Sequence, residues 1–436
     1  MSWARPCERD TTLPAQAGEP ELCPPDPGDA LALCVAHLAL PGAPLPIRAR
    51  LDYGRWKPRV SITCGYTLSY SDGEERIVSL KRYAAGKGQT LARSFRPDER
   101  AQRAEDRLSS FAALPQLDTC LYAFPADRVL PGAARIVHLR RTARLLNALP
   151  LDPDRRVRAR HSSARLLRYK PEHRAVLGLD LALEDANGGQ VRATLAARAL
   201  PPPEAALVSR ARSLCFGRAP GSTQPIGPRL LHVEERTGIV LEEWIDGEGH
   251  RGTTFEHAHG TGALLARLHA LPQPADSLPA CGAAEAVSSL FELDPRLISA
   301  AGDLIGPPPP TRLAWIHGDL HPDQVVRERG GGALRLLDLD ALGPGDPARD
   351  LATWIADHLG TDPAIGLADA ARPILDGYRL GGGRAPEERD LAHRVAFELT
   401  MLSAGALRRL ERGAVERALF LLERASDLRP ARRARA

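Results

Sequence analysis

The sequence predicts an α+β protein of two lobes, a small antiparallel-sheet lobe followed by a larger, mostly helical one. Three observations predict it. Two stretches in the first half share one hairpin grammar, so the sheet lobe carries the marks of a duplication. From Asp350 onward the chain reads as helices, broken by the glycine run 381–383. Between these halves lies a dense run of His, Gly and Asp residues from His317 to Asp350.

Size and composition support a folded, multi-domain chain. It has 436 residues, of which 43% are hydrophobic and 26% charged, enough to bury a sizeable core. The 58 basic and 54 acidic residues leave a formal net charge of +4, too even a balance for a nucleic-acid binder. Lys57, Lys81, Lys87 and Lys170 are the only lysines beside many arginines, which points to a GC-rich genome and makes each lysine more informative. The seven cysteines (7, 23, 34, 64, 120, 215, 281) show neither CxxC spacing nor neighbouring histidines. They read as reduced thiols of a cytoplasmic protein rather than a zinc site. The start, 1–28, is polar and proline-rich, without signal-peptide order, and no apolar run reaches the roughly 20 residues that span a bilayer. No membrane association is expected.

The hairpin grammar begins at Arg55-Trp56-Lys57-Pro58 and again at Arg168-Tyr169-Lys170-Pro171. Each triplet of aromatic, Lys and Pro joins two alternating, strand-like runs separated by a glycine turn, Asp72-Gly73 in one copy and Asn187-Gly188-Gly189 in the other. A helix is expected after each, over 97–113 and over 203–214. Upstream, 29–40 reads as a helix. Downstream of the second copy come strands at 229–233 and 238–244, then a helix over 258–271 with Leu264, Leu265, Leu268 and Leu271 on one stripe. A buried strand is expected at 313–316, after the proline run 307–310. Helices follow at about 350–359, 364–379, 386–410 and 413–427.

Chemistry concentrates in Trp315-Ile316-His317-Gly318-Asp319-Leu320-His321-Pro322-Asp323-Gln324, in Leu337-Asp338-Leu339-Asp340, and in Gly345-Asp346-Pro347 with Asp350-Leu351-Ala352. Phosphoryl transfer asks for a carboxylate to orient and deprotonate the attacking hydroxyl, and for oxygen ligands that hold Mg²⁺ on the phosphates. Asp319 lies on a loop after a buried strand, Gln324 follows five residues on, and Asp338 closes a hairpin turned by Gly330-Gly331-Gly332. A hairpin brings its ends together, so Asp319 and Asp338 can share one site. Asp346 before Pro347 reads as an ordinary turn or helix-start residue.

This segment resembles the catalytic core of the aminoglycoside phosphotransferase and choline kinase-like family, which has a protein kinase-like fold. HGDLHPDQ followed by LDLDALGPGDPARDLA carries the resemblance, and upstream LEEWIDG and GALLARLHALP look like the hinge strand and the helix after it. The likeness spans roughly 160–430. It implies ATP and Mg²⁺ as cofactors and a small-molecule hydroxyl as acceptor. Asp319 would be the catalytic base, Asp338 the main Mg²⁺ ligand and Gln324 the second. His317 and Asp350 would brace the catalytic loop, and Asp340 would be either a metal neighbour or a solvated residue. The implied partition is a flexible arm (1–28), a small-lobe-like repeat (29–157), a kinase-like N-lobe (158–247) whose hinge runs through Trp244, a helical lobe (248–428) and a basic tail (429–436).

Two departures stand out. Gln324 occupies the place of an Asn and is one methylene longer. The small-lobe lysine that meets the α- and β-phosphates is replaced, in the second repeat, by Arg198, with Glu204 as the available helix partner; an Arg–Lys exchange at such a site is not conservative. In the first repeat Lys81 holds the same place, with Glu99 or Glu105 on the following segment. Chain order favours the second repeat as the working lobe, while lysine scarcity favours a purpose for Lys81. Neither hairpin has a glycine-rich phosphate loop, so nucleotide contact would use backbone N–H groups near 171–174 and Arg174. Two functions follow: a small-molecule kinase, or a degenerate kinase-like module that binds nucleotide or metabolite and regulates a partner. Residues 361–436 carry 14 arginines against 11 acidic residues, which disfavours a polycationic acceptor.

Overall fold

A computed structural model describes residues 24–84, 106–149, 151–152, 154–216, 225–249, 254–272, 288–292, 294–301, 312–410 and 412–428. The N-terminal arm up to residue 23, the 307–310 proline run, the basic tail, Lys87, Glu99 and Glu105 lie outside these residues. The chain divides into two compact units. One comprises Met1–Ala206, Leu230–Trp244 and Leu407–Ala414; the other comprises Leu207–Arg229, Ile245–Ala406 and Val415–Ala436.

The first unit opens with α1 (Pro27–His37), capped by Asp26, whose side chain accepts from the Gly28 and Asp29 N–H groups. Strands β1 (Arg48–Lys57), β2 (Ser61–Ser69), β3 (Glu75–Tyr83), β4 (Phe111–Leu114) and β5 (Thr119–Ala123) form one antiparallel sheet in the order β1-β2-β3-β5-β4. Gly73 turns the second hairpin at φ 83°, a conformation that suits glycine. The short helices α2 (Pro131–Val137) and α3 (Leu139–Asn147) lead to β6 (Arg155–Val157). A second sheet contains β7 (Ser163–Lys170), β8 (Arg174–Asp185), β9 (Gln190–Ala199), β10 (Leu230–Glu234) and β11 (Ile239–Glu243), with α4 (Pro202–Phe216) between β9 and β10. Its order is β10-β11-β9-β8, and β7 and β6 both pair with β8. Read from β7, this is the strand order of the first sheet. The duplication seen in the hairpins therefore extends to the topology of both sheets.

One expectation fails. The part of the 97–113 helix that is described contains a strand, β4, whose Phe111 pairs with Tyr122 of β5. The Phe111 ring lies 5.2 Å from the Tyr122 ring, so cross-strand aromatic packing fixes this stretch as strand.

The second unit holds β12 (Gly247–Gly249), α5 (Phe255–His269), α6 (Ser288–Phe291), α7 (Pro295–Ala301), β13 (Ala314–Ile316), β14 (Val325–Glu328), β15 (Leu334–Leu336) and β16 (Gly343–Gly345). Helices α8 (Pro347–Thr361), α9 (Leu367–Leu380), α10 (Glu388–Arg408) and α11 (Ala414–Asp427) complete the chain. β13 pairs with β16, and β14–β15 form the glycine-turned hairpin, joined by β12. The α5 stripe of Leu264, Leu265 and Leu268 packs into one core with Trp315, Leu351, Trp354, Ile355 and Tyr378. No helix among the described residues is long and apolar enough to cross a membrane.

Helices α5 and α9 approach backbone to backbone. A Cβ on Gly262 would lie 2.0 Å from the Ile374 carbonyl oxygen, and one on Gly377 would lie 1.7 Å from that of His259. Neither position has a flexible neighbour that could yield. Gly262→Ala is therefore expected to destabilise the protein by about 3 kcal/mol, as overpacking of a close helix contact does, read as a lower denaturation midpoint.

Candidate active site

The loop after β13 is shaped by one carboxylate. Asp350, in the first turn of α8, accepts from the His317 N–H at 2.7 Å through Oδ2 and from the Gly318 N–H at 2.9 Å through Oδ1. The His269 ring, at the end of α5, adds a contact at 3.1 Å to Oδ2. Its other nitrogen lies 2.9 Å from the Tyr378 hydroxyl, which in turn accepts from Arg312 at 3.1 Å. Asp350 is fully buried. Burial alone would raise its carboxyl, but the His269 bond, the charges of His269 and His317 and the Gly318 N–H outweigh this and hold it below the usual carboxylate range. His317, also buried, donates from Nε2 to the Leu337 carbonyl at 2.8 Å, which ties the loop to the end of β15.

This frame leaves Asp319 exposed, one residue beyond Gly318, whose φ of 84° makes the turn. The β14–β15 hairpin carries Gln324 and Asp338 to its open end. There the Leu337 N–H donates to the Gln324 carbonyl at 2.7 Å, and Gln324 Nε2 donates to Asp338 Oδ2 at 3.4 Å. Asp338 is held at φ 57°, ψ 50°, the left-handed region that carboxylates tolerate better than most side chains. Burial pulls the His321 imidazole below the ordinary histidine range, against the charges of Asp319, Asp323 and Asp338. Asp340 is half-buried in the turn Leu339–Ala341. Asp346 caps α8 by accepting from the Ala348 N–H at 2.9 Å, and it also pairs with Arg394 at 2.6 Å.

A divalent cation such as Mg²⁺ takes oxygen ligands and tolerates one or two carboxylates when phosphates and waters supply the rest. Asp338 fits that role. Gln324 is oriented otherwise: its Oε1 accepts from the His321 N–H at 3.1 Å, so its nitrogen faces Asp338. Turning the amide to offer its oxygen would sacrifice both bonds. Among the described residues no group of three or more His, Cys, Asp or Glu side chains gathers as a metal cage.

In the first unit, the alternation along β9 sends Leu195, Ala197 and Ala199 into the core and Arg198 to the other face. Arg198 Nε lies 3.0 Å from Glu242 Oε2, with both side chains almost fully buried. This partner, on the neighbouring strand β11, was not foreseen. Glu204 lies instead in the field of Arg55 and Arg174, and burial raises its carboxyl against them. Trp244 covers Gly178 on the Arg198 face, 3.4 Å from where a Cβ would stand. Arg174 is buried, and beside it His173 is pushed down to about 4 by burial and by Arg55, Lys170 and Arg174. Lys81 forms a half-buried ion pair with Glu172, in the turn between β7 and β8, and Arg128 approaches the same carboxylate at 3.4 Å. The first sheet thereby grips the hairpin of the second.

Sequence reasoning also missed His269 and Glu398. His269 had a signal, as a polar residue on the apolar stripe of α5. Glu398 had none, because only packing places α10 against the start of α8. Glu398 is 6% exposed and lies 3.6 Å from Arg349. Burial pushes its carboxyl up to about 7; Arg349 and Arg394 oppose the shift, while Asp350 and Asp319 add to it. A carboxyl raised in the folded state favours folding while protonated, so its contribution is full below about 4.5 and is lost as pH rises through about 7. Glu398→Gln should therefore gain stability over the parent above pH 7, on the order of 2 kcal/mol, and little at pH 4.5, measured by denaturant unfolding.

The solved structures most similar to this chain include three small-molecule phosphotransferases. The ethanolamine kinase of Plasmodium vivax is 11% identical with a TM-score of 0.42, covering 62% of this chain and 83% of its own. A macrolide 2'-phosphotransferase of Brachybacterium faecium is 17% identical with a TM-score of 0.40, covering 63% and 94%. A choline kinase of Streptococcus pneumoniae is 12% identical with a TM-score of 0.39, covering 61% and 93%. No curated protein matches the sequence. Residues 222–391, which contain the whole stretch from His317 to Asp350, match the model of the phosphotransferase enzyme family, APH.

Proposed function

We propose that the protein is an ATP- and Mg²⁺-dependent phosphotransferase that acts on a hydroxyl of a small molecule. The observation that carries this reading is the Asp350 frame. It fixes His317 and Gly318 by their N–H groups and leaves the next residue, Asp319, exposed. The family match over 222–391 and the phosphotransferase activities named for the similar structures support the same reading.

In this proposal Asp319 accepts the proton of the acceptor hydroxyl as its oxygen bonds to the γ-phosphorus. The bond to the bridging oxygen breaks, and ADP leaves with that electron pair. Asp338 would hold Mg²⁺, which neutralises phosphate charge when bound. Gln324 keeps the Asp338 carboxylate oriented through Nε2, a role that suits its extra methylene better than direct ligation. His269, His317 and Asp350 hold the loop. Arg198, positioned by Glu242, is the proposed phosphate contact in place of the family lysine, with Arg174 and Trp244 on the nucleotide side. Lys81, engaged with Glu172, steadies the turn rather than touching phosphate.

Millimolar MgATP should raise the melting temperature of the purified protein, because a ligand that binds only the folded state stabilises it by mass action. The Mg²⁺-dependent part of the shift should vanish in Asp338→Ala. Asp319→Asn should keep the shift while losing at least 100-fold in turnover, the size typical of a general-base contribution. Absence of any shift with MgATP would move the protein to the class of degenerate, regulatory modules.

A further inference from the structure

We propose that Asp127, in the segment that joins the two sheets of the first unit, is a positioning residue for nucleotide binding. It locks the β7–β8 turn in a left-handed conformation that presents the Arg174 side chain, and not the turn's backbone, to the phosphates. The inference rests on the phosphotransferase reading and deepens it.

Asp127 is buried, and both of its oxygens are engaged. Oδ1 accepts from the Val129 N–H at 2.8 Å and the Leu130 N–H at 3.2 Å, which fixes the carboxylate to its own segment. Oδ2 accepts from the Tyr169 hydroxyl at 2.7 Å and from the Glu172 N–H at 2.8 Å, which fixes the turn to the carboxylate. In that turn the His173 N–H donates to the Lys170 carbonyl at 3.0 Å, Pro171 holds the second position and Glu172 the third, at φ 55°. This is the type II pattern, whose third position ordinarily goes to glycine. A residue with a Cβ keeps such a backbone only where its surroundings over-determine it. Here they do: Lys81 pairs with the Glu172 carboxylate, Arg128 approaches it at 3.4 Å, and Asp127 takes the N–H. Pro171 lies against Gly65 of β2, 3.4 Å from where a Cβ would stand.

The lock decides how the turn can meet a phosphate. A backbone cradle needs N–H groups that are not already spent. Pro171 has none, that of Glu172 goes to Asp127, and that of His173 goes to Lys170. A side chain must serve instead. Alternation along β8 sends Ala175, Leu177 and Leu179 into the core, so Arg174, Val176 and Gly178 take the opposite face. Val176 pairs with Arg198, and Trp244 covers Gly178, so Arg174 stands on the face of the proposed phosphate contact. Asp127 grips the backbone two residues before Arg174 and sets where that strand begins.

The test is a calorimetric titration of the full chain with MgATP, read as a dissociation constant. Asp127→Asn keeps the shape of the side chain but only one acceptor oxygen, so it cannot serve both pairs of donors. Asp127→Asn and Arg174→Gln should each weaken binding about tenfold, the size of a lost hydrogen bond to a charged group, and the double variant should bind no more weakly than Arg174→Gln alone. Glu172→Gly and Glu172→Val remove the same carboxylate, but only glycine holds the left-handed backbone freely. Glu172→Val should therefore bind several-fold more weakly than Glu172→Gly. Adding Asp127→Asn to Glu172→Gly should weaken binding no further, which a merely structural role of Asp127 would not allow. Unchanged binding in Asp127→Asn, equal constants for the two Glu172 variants, or an Asp127→Asn effect that persists beside Glu172→Gly would overturn the inference. If Asp127→Asn does not unfold cooperatively, the two Glu172 variants and Arg174→Gln decide by the same comparison. A parent that binds MgATP and is indifferent to Arg174→Gln overturns the inference and leaves the phosphotransferase reading standing. A parent that binds no MgATP overturns both.

Discussion

The carboxylate of Asp350 is the interaction on which the candidate site depends. One buried side chain accepts from two consecutive backbone N–H groups and from an imidazole, so it fixes both position and direction of the loop that precedes Asp319. A charged acceptor with hydrogen bonds of this kind is strong because water is excluded and because each donor is itself held. His269 is held by Tyr378, and Asp350 lies in the first turn of α8, where the helix dipole favours negative charge. The burial of Trp354, Leu351 and Tyr378 around it keeps that geometry dry. A charge that is costly to bury alone becomes, with three donors, the rigid point from which the loop is hung.

The two sheets of the first unit show how one topology can be put to two uses. Both run through a hairpin, a third strand and a returning pair in the same order. Their equivalent cations, Lys81 on β3 and Arg198 on β9, meet different partners. Lys81 reaches across to Glu172 in the turn of the other sheet, and a Cβ on Gly65 would stand 3.4 Å from Pro171 of the same turn. The scarce lysine has a structural partner in this grip.

How much of this could be read from the chain follows from the range of each interaction. The α+β class, the hairpins at 48–83 and 163–199, and the helices from 347 onward are written in local periodicity and turn residues, and they were legible. So was the β14–β15 hairpin that carries Gln324 and Asp338 to its open end. Partners across elements were not. Glu242 pairs with Arg198 by strand register, Glu172 with Lys81 across 91 residues, and Glu398 with Arg349 by helix packing. No local pattern encodes such pairs. The strand β4 was misread because its composition, Phe-Ala-Ala-Leu, fits a helix equally well until Tyr122 is placed beside it.

The placement of Arg198 has a structural logic. Where a phosphate-binding cation is held by an acid on a helix, its position follows that helix. Here the acid is Glu242, two residues diagonal from Arg198 in the β9–β11 ladder, and the backbone hydrogen bonds of one sheet fix both. A planar guanidinium can meet a carboxylate along one edge and keep a defined orientation, which a single ammonium on a flexible stem cannot. Burial of both side chains strengthens the pair and forbids its loss, since either charge alone would be stranded. The cation is thus set by the sheet, and Glu204 on α4 is left to the field of Arg55 and Arg174. Arg198 and the acid that faces it are thus anchored in one sheet, on neighbouring strands.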